Sequence, residues 1–203
     1  MTSLLHPQKQ TPTLKNNVLL EERKEIPEIK RYIENVLPQL TSLKYFIEEE
    51  LDTDEAFEIL DEDLPDGMSR SDKKFFIKDI VRLCTLFFKQ TRSKNIRLQL
   101  EIVKTDMCRF FHVDNYRQRL LCTYIGPGTE WLDPANVRKE GLGKGCNHGI
   151  VKDFNAIRRA KEFDVLLIKG AKHEGKDAGI VHRSPPIVKD AKTRVLLKID
   201  EWN

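Results

Sequence analysis

The sequence predicts an α+β protein, with N-terminal helices packed on a β domain that closes as a sandwich or small barrel. Two observations carry this. Apolar residues recur at helical spacing before residue 95 and alternate singly after it, and the later runs are short and separated by Gly and Pro turns. Three parts follow: a flexible segment over residues 1–24, a helical region over 25–94 and a β domain over 95–203.

In residues 25–50, Ile29, Tyr32, Ile33, Val36, Leu37, Leu40, Leu43 and Phe46 keep helical spacing, and Pro38 divides the run into two short helices or kinks one. Residues 52–66 are acidic and read as a solvated loop with one helical turn around 56–60 and no EF-hand spacing. Ser71, Asp72 and Lys73 open a helix that runs to Gln90, with an apolar stripe of Phe75, Ile77, Ile80, Val81, Cys84, Phe87 and Phe88.

Strands are predicted beyond residue 94. Leu98, Leu100 and Ile102 alternate with Arg97, Gln99 and Glu101, the period of a half-buried strand over 97–104. Residues 108–114 and 119–125 are the next two. Gly126, Pro127 and Gly128 then force a turn, and residues 129–132 resume an extended piece before the glycine-rich loop 133–149. Residues 157–163 are extended or a short helix, and 164–169, 180–182 and 193–199 complete the strands. The sequence holds no internal repeat.

Composition excludes several classes of function. The 35 basic and 32 acidic residues are interspersed and leave a net charge of +3, so nothing demands a nucleic-acid partner. No apolar run approaches the roughly 18 residues that span a bilayer, and the first twenty residues lack the apolar region of a signal peptide, which makes the cytoplasm the expected location. Cys84, Cys108, Cys122 and Cys146 form no CxxC pair and are expected reduced.

The chemistry concentrates at His112 and Asp114. Residues two apart on a strand project from one face, so this imidazole and carboxylate would point together, and His182 from a distant strand would complete a set of three. Two histidines and a carboxylate on one side of an octahedron leave positions open, the ligand set of non-haem Fe(II) oxygenases. Each residue also has a plainer reading: His112 bonded to a carbonyl, Asp114 and Asn115 starting a turn, and Arg194 paired with Asp190 or Asp200.

The order of HxD, a Leu-Leu-Cys-Thr-Tyr strand with a Gly-Pro-Gly turn, a Val-Leu-Leu-Ile-Lys-Gly strand, a distal His and a later Arg resembles the double-stranded β-helix (cupin-like, jelly-roll) of Fe(II)- and 2-oxoglutarate-dependent dioxygenases, over residues 97–200. More closely, residues 112–115, 126–131 and 181–186 resemble motifs of the mainly bacterial family called domain of unknown function 1826. Its members are often encoded near genes of zinc homeostasis.

The dioxygenase resemblance implies that His112, Asp114 and His182 hold the iron. Arg194 would grip the far carboxylate of 2-oxoglutarate by a two-bond fork, and Thr123, Tyr124 or Thr129 would add a hydroxyl. Trp131 and loop 133–149 would form a lid. The alternative is a non-catalytic protein that uses the same triad to bind Zn(II).

Cys146 and His148, with Cys108 or Cys122, are a second candidate zinc set. Residues 169–176 lack the Walker spacing and read as a charged hairpin turn, and Ser184 sits in no GxSxG elbow. The substrate expected is a small molecule or a protein. The helical region packs on the β domain or on a second copy in a homodimer, and a metal-free interaction module is the remaining reading.

Overall fold

Strands enter this chain earlier than apolar spacing suggests. A computed structural model describes residues 17–47, 52–172 and 179–202. Its elements run β1 (Val18–Glu21), α1 (Pro27–Val36), β2 (Leu43–Ile47), α2 (Thr53–Asp63), α3 (Arg70–Thr91), β3 (Ile96–Val103), β4 (Gln118–Ile125), β5 (Glu130–Trp131), α4 (Asn147–Ile150), β6 (Arg158–Arg159), β7 (Val165–Lys169), β8 (His182–Arg183) and β9 (Arg194–Glu201).

Helix α1 starts at Pro27, whose fixed φ suits a first helical position, and buries Ile29, Tyr32, Ile33 and Val36, one face of a helix. Helix α2 is longer than one turn because the Asp52 carboxylate caps it, accepting from Asp54 and Glu55 N–H groups. Ser69 caps α3 in the same way, and Arg92 ends it in the left-handed region. The buried stripe of α3 is centred on Phe76, Ile80, Leu83 and Phe87, with the predicted Phe75 half exposed on its other side.

Nine strands form two antiparallel sheets among the described residues. The larger has six in the order β1-β7-β4-β9-β3-β2, and the smaller three in the order β6-β5-β8. Leu98, Leu100, Leu120, Cys122, Tyr124, Leu197 and Ile199 turn one face of the large sheet onto α1 and α3. Leu121, Leu166, Ile168 and Leu196 turn the other face onto Trp131, Ala160 and Ile180 around the small sheet. Strand β7 is covered on both faces, which is why it reads as an unbroken apolar run. The architecture is thus mixed α/β, with helices, large sheet and small sheet in three layers.

Two further expectations change. The helices do not form a separate N-terminal block, because β1 and β2 supply both edges of the large sheet from the regions expected as flexible and helical. Pro38 stops helical continuation, and Leu43, Tyr45 and Ile47 turn to one side while Lys44 and Phe46 turn to the other, a period of two that five residues barely record. Residues 108–114 form no strand either, and only His112 pairs there, in a single bridge to His182. Residues 1–16 of the segment expected to be flexible, and 173–176 of the expected hairpin turn, lie outside the described residues.

A buried polar cluster ties the layers together. Arg23, just beyond β1, reaches Asp79 of α3 with Nη1 to Oδ1 at 2.7 Å and Nη2 to Oδ2 at 3.2 Å, and the Tyr124 hydroxyl donates to Asp79 Oδ2 at 2.8 Å. Burial alone would raise the Asp79 pKa, but these donors outweigh it and hold it below the ordinary carboxylate value.

Candidate metal centre

His112 and His182 face each other because their backbones exchange both hydrogen bonds, N–H of His112 to O of His182 at 3.0 Å and the reverse at 2.9 Å. This bridge puts both rings on one side, with centroids 4.8 Å apart. Each Nδ1 lies near a carbonyl, Phe110 O at 2.8 Å for His112 and Ile180 O at 3.0 Å for His182. A carbonyl only accepts, so each Nδ1 carries a hydrogen and each Nε2 faces the opposite way, the arrangement that orients ligating histidines. The plainer reading of His112, a bond to a carbonyl, is therefore true and compatible with ligation.

Asp114 lies between the two Nε2 atoms. Its Oδ1 is 3.5 Å from Nε2 of His112 and its Oδ2 is 3.1 Å from Nε2 of His182. One ligand atom from each residue lies within 4.8 Å of the others, and this is the one such cluster of three or more groups among the described residues. Burial opposes the charge on Asp114, but bonds from His112 and His182 and the charges of His182 and Arg119 hold its pKa far below the ordinary value. The bond to Asp114 raises the His112 pKa against an opposing effect of burial. A proton or a metal cation between carboxylate and imidazoles satisfies such a set equally.

Arg194 begins β9 and is fully buried. Its Nη1 donates to Ser184 Oγ at 2.9 Å, and its Nη2 reaches Thr123 Oγ1 at 3.2 Å and Thr129 Oγ1 at 3.4 Å. Nε is buried with no partner. No ion pair to Asp190 or Asp200 forms; Asp200 is taken by Arg119 and Arg97. Burial therefore pulls the Arg194 pKa down to about 10. Thr129 and Ser184 line a cleft with His112, His182, Arg119 and Leu196, so this cation lies against the cleft wall.

Of the three hydroxyls offered for the co-substrate, Thr123 bonds Arg194, Thr129 bonds Arg194 and lines the cleft, and Tyr124 does neither. Neighbours on a strand point to opposite faces, and Tyr124 packs against α3 with its hydroxyl on Asp79, away from the cleft. Trp131 is not a lid residue; it is buried between the sheets. No residue of 133–149 lines the cleft. That loop instead braces it, since Asn147 accepts from the Phe111 N–H at 2.9 Å and donates to Arg109 O at 3.0 Å, beside His112.

The second zinc set does not assemble. Cys122 is buried beside Arg23, Cys146 is exposed, and the His148 ring lies in a tilted contact with Phe154. Two polar participants escaped the sequence reading. Ser184 gives Arg194 its shortest bond, and Arg119 donates to Asp114 Oδ2 at 2.5 Å. Arg119 shares a strand face with Leu121 and Thr123, the signal that could have found it.

Two antiparallel sheets backed by helices, with two histidines and a carboxylate converging beside a cleft, define a mixed α/β protein with a candidate metal centre. The chain belongs to the family described as protein of unknown function DUF1826, whose model matches residues 10–200. No curated protein sequence matches it.

Several solved structures are similar. The Fe(II)/α-ketoglutarate-dependent dioxygenase TqaL is 12% identical with a TM-score of 0.46, over 91% of this chain and 82% of that one. A bsmA homologue from Methylobium petroleophilum is 15% identical with a TM-score of 0.34, over 68% of this chain and 55% of that one. A prolyl-4-hydroxylase from Pseudomonas putida is 9% identical with a TM-score of 0.33, over 89% and 97%. Among the described residues no helix is long and apolar enough to cross a membrane.

Proposed function

We propose that this protein is an Fe(II)- and 2-oxoglutarate-dependent oxygenase whose two sheets form a double-stranded β-helix. The observation that carries the reading is the conjunction of His112, Asp114 and His182 with a buried arginine that has no carboxylate partner among the described residues. The donor set suits Fe(II), with imidazole nitrogens and one carboxylate oxygen, and Arg194 with an orphaned Nε suits an organic carboxylate. His112, Asp114 and His182 would hold the metal.

When bound, Fe(II) and 2-oxoglutarate supply oxygen activation coupled to decarboxylation of the co-substrate. The chain's own residues do the rest. The Phe110 and Ile180 carbonyls keep each imidazole in one tautomer and one orientation. Arg194 contributes fixed positive charge, and Ser184 and Thr129 offer hydroxyls that can turn from the guanidinium to an anion in the cleft. Leu121 and Leu196 line the cleft with apolar surface that disfavours water.

The test is the metal content of protein purified without oxygen or chelator, compared with His112→Ala purified identically. Near-stoichiometric iron lost in the variant, with oxygen-dependent consumption of 2-oxoglutarate by the wild type, is the expected result. Zinc lost in the variant without such consumption would identify a binding protein at the same triad. Failure of both proteins to take up Fe(II) or Zn(II) would refute the metal reading.

A further inference from the structure

Asp114 offers a cation two oxygens that differ in surroundings. Oδ2 accepts from Arg119 Nη1 at 2.5 Å, whereas no arginine among the described residues bonds Oδ1. Arg119 cannot swing away, because Asp200 takes its other nitrogens, Nε to Oδ1 at 2.5 Å and Nη2 to Oδ2 at 3.0 Å. Asp200 is itself fully buried and also accepts from Arg97 Nη2 at 2.7 Å. The Tyr116 ring lies 4.5 Å from the Arg119 guanidinium, and its hydroxyl bonds Arg97. Asp114, Arg119, Asp200 and Arg97 thus form a row of alternating charges that ends on the candidate ligand. A fork bonded on two sides and stacked on a ring is among the stiffest cationic supports a protein can build.

We infer that Arg119 is a positioning residue that restricts Asp114 to one-oxygen ligation and so keeps three coordination positions free. The inference rests on the metal reading above. A cation shared by both carboxylate oxygens would have to approach Oδ2, which already accepts from the fixed Arg119 guanidinium; the neighbour of Oδ1 is instead His112 Nε2 at 3.5 Å, a nitrogen that would itself bind the cation. The count of positions gives this its consequence. Two imidazoles and one oxygen fill three of about six octahedral positions, whereas two imidazoles and a chelating carboxylate fill four, and a chelating 2-oxo acid would then occupy the remainder.

The experiment loads metal-free protein with Mn(II) and measures water-proton relaxation per bound ion in the wild type, Arg119→Gln and the double variant Arg119→Gln/Asp200→Asn. The double variant removes the buried Asp200 charge together with its partner, so it tests the inference if the single variant fails to fold. Relaxivity should fall by about a third in the folded variants as three bound waters become two, and Arg119→Lys, which keeps a donor for Oδ2, should restore the wild-type value. A support that is merely structural would lower thermal stability and leave the water count unchanged. Unchanged relaxivity in folded variants would overturn the role of Arg119 alone, whereas a wild type that does not take up Mn(II) would overturn the metal reading with it.

Discussion

Replacing Arg194 by methionine should stabilise the protein in the absence of ligands and abolish its response to 2-oxoglutarate. The Arg194 side chain is buried with no ion pair among the described residues, and burial outweighs the more distant charges of Glu101 and Glu130 and brings its pKa down to about 10 from the ordinary arginine value. At about 1.4 kcal/mol per pH unit, holding that charge costs the folded state about 3 kcal/mol. Methionine has similar length and no charge. Its loss of bonds to Ser184, Thr123 and Thr129 offsets about 1–2 kcal/mol of the gain, leaving a net stabilisation of about 1–2 kcal/mol. For a chain of this size that raises the melting temperature by roughly 2–8 °C. A co-substrate at a hundred times its dissociation constant adds about 2.7 kcal/mol to the wild type. Anaerobic thermal unfolding of metal-loaded protein, with and without 2-oxoglutarate, reads both effects. The reasoning is refuted if Arg194→Met melts well below the wild type without ligands, or if both proteins respond equally to the co-substrate.

Two further predictions concern the scaffold. Asp79 has a depressed pKa, so the stability it contributes is present above the ordinary carboxylate range and is lost as pH falls through the depressed value. Asp79→Asn should cost about 3–5 kcal/mol near neutral pH by leaving Arg23 unpaired, and urea midpoints should then fall less steeply than those of the wild type below about pH 4. Gly126 has φ of +88°, and a Cβ there would lie 2.4 Å from the Thr193 carbonyl oxygen. Gly126→Ala should destabilise by more than about 2 kcal/mol in urea titration, since both the backbone and the β4–β9 contact must give; an unchanged midpoint would contradict this.

Much of the fold was legible because local periodicity is strong where one face is buried. The i, i+3, i+4, i+7 series at Ile29, Tyr32, Ile33 and Val36 gives α1, and alternation from Ile96 to Val103 gives β3. Strands β1 and β2 were hidden because four or five residues barely distinguish the two periods, and their partners in β7 and β3 are remote in sequence. Spacing left Thr123 and Tyr124 as alternatives for one role, and only the packed strand shows them on opposite faces, since on a strand one position is a change of face.

The sequence by itself determined which groups could do chemistry here: two imidazoles, one carboxylate two residues from the first, and an arginine beyond the second. Only the tertiary structure decided how they are held. The bridge between His112 and His182 and the grip of Asp200 on Arg119 join residues far apart in the chain, and the burial of Arg194 with no ion pair among the described residues depends on what is not nearby. Side-chain spacing is a local property, whereas proximity and desolvation belong to the packed layers, and those two set the charge and orientation of every group in the site.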